Sequence, residues 1–390
     1  MSFAAVIRQR TTPRSVAIGL FISAFAAVGA FAPFLPVYYQ SLGLDLDAIG
    51  LLAAAGSLAG LVSAPAWGML ADQVSGARGV LLVSALASAA CAVGLALTSQ
   101  PAVAAVVAIL FWLAFAGIAP VLDAFALELV AADQHRYARL RVWGSASFVV
   151  STVGVGWLIG QTELRSFFIV LVAMLSLTAF LALLVPRRGT VRVQHRLTGL
   201  RHVLRNRTLM SFVSAALIVW SAATAINGFL SIYLIDLNAP AVLVGSAWAL
   251  GALVEVPVMI AFPPLAARFG LARLVVLGAL MLLLRGVVVV VTSDPLVVTA
   301  AMALHGVGYA LLLVGGVTYV ARYAPKGSEA TAQGVLSGVV LGLSWAVGPG
   351  VGGLIAGALG LEQMFVLATL TSLVGVVAVA LAVRLRPRDP

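Results

Sequence analysis

The sequence predicts an all-α membrane protein of twelve transmembrane helices in two six-helix halves. Three observations predict it. Hydrophobic residues fill 62% of the 390 positions, charged residues 9%, and mean hydropathy is +1.13. A soluble domain instead carries about a quarter charged residues. Apolar runs near the roughly 20 residues needed to cross a bilayer recur along the whole chain, separated by short polar or Gly/Pro segments. A long stretch of the first half also reappears in the second at one constant offset.

The runs give helices over 15–40, 48–70, 79–98, 102–130, 140–160, 164–185, 209–235, 243–266, 274–292, 296–321, 329–358 and 362–383. The first run ends in Pro33, Pro36 and two tyrosines rather than in a small-residue cleavage site, so it reads as a retained helix and not as a signal peptide. The domains expected are an N-terminal bundle over 1–185, a basic cytoplasmic linker over 186–208 and a C-terminal bundle over 209–390.

The net charge of +10 raises nucleic acid as a partner, but the distribution argues for a membrane. Arg8, Arg10 and Arg14 precede the first helix, and Arg78, Arg136, Arg139 and Arg141 fall in the next even-to-odd junctions. Seven arginines occupy 186–208, with His195, His202 and no acid; Arg268, Arg273, Arg322, Lys326, Arg384, Arg386 and Arg388 complete the set. A chain with both termini cytoplasmic puts all of these on one side, as the positive-inside rule requires. Arg165 alone falls outside, and Asp45, Asp47, Asp236, Asp294 and Glu362 populate that opposite side. The linker reads as a solvated segment near anionic headgroups. Cys91, the only cysteine, sits in an apolar helix and supports neither a disulfide framework nor a thiolate metal site.

Phe34–Arg78 aligns with Phe229–Arg273 without gaps: Phe34/Phe229, Tyr38/Tyr233, Gly50/Gly245, Gly56/Gly251 and Arg78/Arg273 all match. Such a parallel repeat predicts two halves related by an axis along the membrane normal, with a binding site near the midplane between them. Between the second and third helices runs Gly68-Met69-Leu70-Ala71-Asp72-Gln73-Val74-Ser75-Gly76-Ala77-Arg78. An acid and a base at a tight turn suit helix ends that slide and re-pair, so Gly68, Asp72, Gly76 and Arg78 are candidate gating residues. In the second half Ala267 replaces the acid.

Charge within a span costs at least a few kcal/mol and tends to face a cavity or a partner. Asp123, Glu255, Arg285 and His305 stand out for this reason. Asp123 lies about two turns before the loop that Arg141 follows, so the two can face each other across a helical hairpin.

The turn motif resembles the G-x-L-A-D-x-x-G-x-R signature of the major facilitator superfamily, with three residues rather than two between Asp72 and Gly76. Val121-Leu122-Asp123-Ala124-Phe125, followed by Tyr137-Ala138-Arg139-Leu140-Arg141-Val142-Trp143-Gly144-Ser145, resembles its lactose-permease-like and, more closely, phenylpropionate-permease-like branch. Phe34-Leu35-Pro36-Val37-Tyr38-Tyr39-Gln40-Ser41-Leu42-Gly43-Leu44 is similar to the opening of that branch. The resemblance implies that Asp123 and Arg141 bind substrate and that Phe148 stands where the permease stacks an aromatic ring on sugar. It matches Arg285 and His305 to the charged helix 9 and helix 10 positions, but Gly308 replaces the glutamate implicated in proton coupling. Glu255 is the substitute expected here, with Arg285 and His305 as its partners in proton coupling; a permanent salt bridge fixing helix packing is the alternative.

No nucleotide-binding loop, Ser/His/Asp arrangement or metal-ligand cluster is legible, so the sequence reads as no enzyme, with no metal, no cofactor and a proton gradient for energy. Glycines and the Gly348-Pro349-Gly350 run in helix 11 suit close packing and a point of bending. The expectation is a monomeric, multi-pass carrier in the bacterial plasma or inner membrane, whose partners are a small-molecule substrate, protons and lipid, with no nucleic acid. It would import a sugar, nucleoside or aromatic acid by proton symport and alternating access. The alternatives are a proton/drug antiporter, against which the missing Gly-Pro in helix 5 argues, and a non-transporting receptor or scaffold.

Overall fold

The computed structural model describes residues 12–186 and 199–384; Arg8, Arg10, the linker positions 187–198 with His195, and Arg386 and Arg388 lie outside the described residues. Twelve helices among them are long and apolar enough to cross a membrane. They are α1 (Pro13–Ser41), α2 (Leu46–Gln73), α3 (Gly76–Leu97), α4 (Pro101–Leu129), α5 (Arg136–Gln161) and α6 (Leu164–Ala182) in the first half. α7 (Arg207–Asp236), α8 (Ala241–Phe269), α9 (Leu271–Val291), α10 (Pro295–Tyr323), α11 (Glu329–Leu359) and α12 (Leu361–Arg384) make up the second. The all-α fold expected from hydropathy is the fold found.

Local chemistry sets several boundaries. Thr12 Oγ1 accepts from the Ser15 amide, Asn206 Oδ1 from Leu209 and Asp294 Oδ1 from Leu296, so α1, α7 and α10 each begin on a side-chain cap. Pro101 and Pro295 open α4 and α10, where a missing amide hydrogen costs nothing. Val62, Val150, Ile169 and Ile260 are each at least 70% exposed, a surface that suits lipid tails and not water.

Two compact units divide the described chain. Residues 12–43, 58–186 and 240–249 form one; residues 44–57, 199–239 and 250–384 form the other. In the first, α1 packs on α5 and α6, and α3 on α4 and α6; in the second, α7 packs on α11 and α12, and α9 on α10 and α12. The sequence repeat is therefore also a repeat of contacts. It explains the matched glycines as well. A Cβ at Gly245 would meet the Thr152 carbonyl oxygen at 2.0 Å within the first unit, and one at Gly50 the Pro349 carbonyl oxygen at 2.3 Å within the second.

Interruptions in the spans leave carbonyls without helical partners, which hydrocarbon does not forgive. α4 breaks at Ala116 and Gly117, and its freed carbonyls are taken by neighbours: Trp67 Nε1 donates to Leu113 O at 2.8 Å and Ser84 Oγ to Ala114 O at 2.6 Å. A side chain at Gly117 would strike both Ser84 and the Trp67 ring. In α11 the chain stays α-helical from Ser344 to Leu359 through Pro349, and the irregular stretch is instead a π-helical segment over Gly338–Leu343. Pro349 lacks the amide that would bond the Trp345 carbonyl, and Ser57 Oγ donates to that carbonyl at 3.2 Å.

Candidate functional site

In the first unit the α4–α5 turn decides the geometry. Ala131 and Ala132 both adopt left-handed backbone angles (φ 52° and 61°), which reverse the chain within a few residues. Asp133 then starts α5: its Oδ1 accepts from the Arg136 amide at 3.0 Å and its carbonyl from the Tyr137 amide at 2.9 Å. This start directs Tyr137 and Arg141, one turn apart on α5, back toward Asp123.

Three groups meet at one atom. Tyr137 Oη donates to Asp123 Oδ1 at 2.9 Å, and Arg141 Nε lies 3.6 Å from the same oxygen. Asp123 and Arg141 are each about a third exposed (33% and 35%), so the pair adds little stability, about 0–1 kcal/mol. The Arg141 guanidinium carbon stands 4.0 Å from the centre of the Phe25 ring and 5.7 Å from that of Phe21, both on α1. Gly144 makes this approach possible, because a Cβ there would meet the Phe25 ring at 2.9 Å. Phe148 is half-buried, and its backbone carbonyl lies against Gly29 of α1. The structure thus joins Asp123 to Arg141 as the hairpin argument expects, and adds Tyr137 and Phe25, to which the sequence reading gave no role. A faint signal was available for Phe25: Trp220 stands 195 residues later (220 − 25), on the same offset as the repeat.

In the second unit, Arg285 on α9 is 1% exposed and His305 on α10 is 8% exposed. Arg285 Nη1 donates to His305 Nδ1 at 3.2 Å. A guanidinium can only donate, so that ring nitrogen carries no proton in this arrangement. Nε and Nη2 of Arg285 have no hydrogen-bond partner among the described residues. Glu255 is half-buried on α8, and α8 meets α10 beside it: a Cβ at Gly306 would touch the Gly251 carbonyl oxygen at 2.4 Å and the Glu255 amide nitrogen at 3.2 Å. Glu255 therefore lies on the turn of α8 packed next to His305. Gly308 is equally informative, because a Cβ there would lie 2.8 Å from Leu282 Cγ and 2.9 Å from Gly278 O. No glutamate fits at that position.

His305 also contacts the Tyr309 ring (centroids 5.7 Å), which meets Trp220 edge-on at 5.0 Å. Beyond Trp220 is an apolar cavity of about 30 Å³, lined among others by Phe212, Leu312, Leu336, Ser337 and Val340.

The turn motif takes a definite shape. Ala71–Ser75 winds as a π-helical turn holding Asp72, Gly76 follows at φ 63°, a conformation that favours glycine, and Arg78 lies in the first turn of α3. Beyond its own helical turn, nothing among the described residues lies within 4 Å of where a Gly68 Cβ would be, so packing there does not demand a glycine.

Twelve apolar helices in two repeated bundles, with charged residues held inside the spans, define a polytopic membrane transporter. The chain belongs to the MFS_1-like family of the major facilitator superfamily, whose profile matches residues 15–367. It is 28% identical to the maltose permease of Geobacillus stearothermophilus over 322 residues, covering 82% of each chain. It is 27% identical to the "Probable 3-phenylpropionic acid transporter" of Escherichia coli (strain K12) over 347 residues, covering 86% of this chain and 88% of the relative. Among solved structures, the nucleoside transporter NupG superposes with a TM-score of 0.83 at 16% identity, covering 96% of this chain and all of the other. At that identity the likeness establishes the fold. The protein is a multi-pass bacterial membrane transporter.

Proposed function

We propose that this transporter is a proton-coupled symporter that imports a small organic solute by alternating access. Asp123 and Arg141 hold polar groups of the substrate, Phe148 offers a stacking face, and Glu255, Arg285 and His305 handle the proton. Gly68, Asp72, Gly76 and Arg78 gate the conformational change. The observation that carries the reading is the buried Arg285–His305 contact. A proton added to His305 Nδ1 removes the acceptor and breaks that bond, leaving a guanidinium with no remaining partner among the described residues. Proton arrival is thereby tied to rearrangement of α9 and α10. Gly308 is closed to an acid and Glu255 lies on the α8 turn beside Gly306, which supports Glu255 as the carboxylate that exchanges the proton.

The sequence relatives supply maltose and 3-phenylpropionate as candidate cargo, and the nucleoside transporter of like fold adds a nucleoside, for which uridine is the probe. The test is uptake of each, radiolabelled, into proteoliposomes under an imposed proton gradient, with internal pH followed in parallel. Symport predicts accumulation driven by an acid exterior, with acidification inside. Export of the probe against inward protons would establish the antiporter instead. Full uptake by both Asp123→Asn and Glu255→Gln would overturn the residue assignment.

A further inference from the structure

Tyr137 and Arg141 Nε converge on one carboxylate oxygen of Asp123, and no hydrogen bond engages Asp123 Oδ2 among the described residues. The guanidinium has its Nε edge on Asp123 and its face over Phe25, and the Tyr137 side chain also engages it, while the Arg141 side chain stays 35% exposed. Resting on the proposed substrate role of this pair, we propose that Tyr137 is a positioning residue: its hydroxyl fixes Asp123 in the rotamer that offers Oδ2 to a ligand beside the Arg141 guanidinium, with Phe25 holding the guanidinium plane.

The physical case is one of degrees of freedom. A carboxylate rotates about its final bond, and an arginine has four side-chain torsions, so an isolated pair at 3.6 Å samples many mutual arrangements. Each added contact removes one freedom. The Tyr137 hydrogen bond sets the carboxylate plane, the Phe25 face sets the guanidinium plane, and Gly144 leaves room for the ring to sit that close. The Tyr137 ring is itself anchored edge-on against Phe21 at 6.5 Å, on the same α1 face as Phe25. The result is a preorganised acceptor and donor side by side, and preorganisation improves affinity by removing ordering cost at the moment of binding.

The test is a double-mutant cycle in full-length protein in proteoliposomes, reading KM and Vmax for the wild-type substrate among maltose, 3-phenylpropionate and uridine. Tyr137→Phe removes the hydroxyl and keeps the ring. It is expected to raise KM about tenfold, the value of one charge-assisted hydrogen bond, while Vmax and the thermal midpoint stay close to wild type. Phe25→Leu should also raise KM. In an Asp123→Asn background, Tyr137→Phe should add no further loss, because the group it positions is gone. An unchanged KM for Tyr137→Phe alongside an impaired Asp123→Asn overturns this inference and leaves the function reading standing. Losses that multiply in the double variant also overturn it. Asp123→Asn transporting like wild type overturns the substrate role of the Asp123–Arg141 pair, and this inference with it.

Discussion

Phe25 on α1 and Trp220 on α7 occupy the same place in the repeat, yet their surroundings have opposite chemistry. The register of the partner helices can be read from contacts. Gly29 lies against the Phe148 carbonyl of α5, and its counterpart Thr224 (29 + 195) donates to the Ser344 carbonyl of α11 at 2.7 Å. Counting seven residues back from Phe148 gives Arg141, and eight back from Ser344, one of them taken up by the π-helical segment Gly338–Leu343, gives Leu336 (141 + 195). In the first unit the space over the aromatic ring is filled by the Arg141 guanidinium. In the second it is the apolar cavity beside Trp220, with Leu336 on its wall. The second unit carries its cation elsewhere, on α9, where Arg285 is fully enclosed. The comparison teaches that one packing scheme has been given two electrical designs: a half-open ion pair, and an enclosed cation whose Nε and Nη2 have no hydrogen-bond partner among the described residues.

The largest expected effect tests the closed half. A buried charge with missing partners lowers stability, so Arg285→Met should raise it by about 1–4 kcal/mol in a thermal unfolding assay while abolishing proton-driven uptake. Arg141→Met should change stability by no more than about 1 kcal/mol yet also abolish uptake. Equal thermal shifts for the two variants would erase the distinction between the halves.

The next effect tests what the halves share. Gly50→Ala and Gly245→Ala each drive a methyl group into a neighbouring backbone carbonyl, and each should cost about 1–3 kcal/mol, read as a lowered thermal midpoint. Loss at only one of them would show that the repeat holds in sequence and not in packing. Smaller again is Gly316→Ala on the cavity wall, where a Cβ would meet Leu336 at 3.5 Å and Phe212 at 3.8 Å, ordinary contact distances. Removing a helical glycine and filling space there should stabilise by about 1 kcal/mol without altering KM. A raised KM would make the cavity part of the substrate path. The smallest effect is at the α4–α5 turn: Ala131→Gly or Ala132→Gly should stabilise by about 0.5–1 kcal/mol, because glycine adopts positive φ without a Cβ penalty.

The turn motif shows how the repeat bends to local structure. In the first half the left-handed glycine after α2 is Gly76, whereas after α8 it is Gly270, one position earlier on the repeat offset (270 − 195 = 75). The π-helical turn Ala71–Ser75 accounts for the one-position shift of the glycine, since a π turn takes up one more residue before it and the stretch to Arg78 is one shorter than that from Gly270 to Arg273. That turn carries Asp72, and the second half, which lacks the acid, continues as α-helix to Phe269.

By itself the sequence determined the twelve spans, the six-plus-six repeat and the Asp123–Arg141 pairing. The first two rest on local hydropathy and a constant offset, and the third on helical rise around a short hairpin, all of which are properties of neighbouring residues. The family resemblance also pointed to Arg285 and His305. Only the tertiary structure decided which aromatic ring lies under Arg141, because Phe25 reaches it from α1, more than a hundred residues away, through space that Gly144 leaves open. It alone showed that Tyr137 shares Asp123 Oδ1, that Gly308 has no room for an acid, and that Nε and Nη2 of Arg285 have no hydrogen-bond partner among the described residues. Those facts depend on distances between helices, and interhelical distance is set by how small residues let backbones approach, which no single segment encodes.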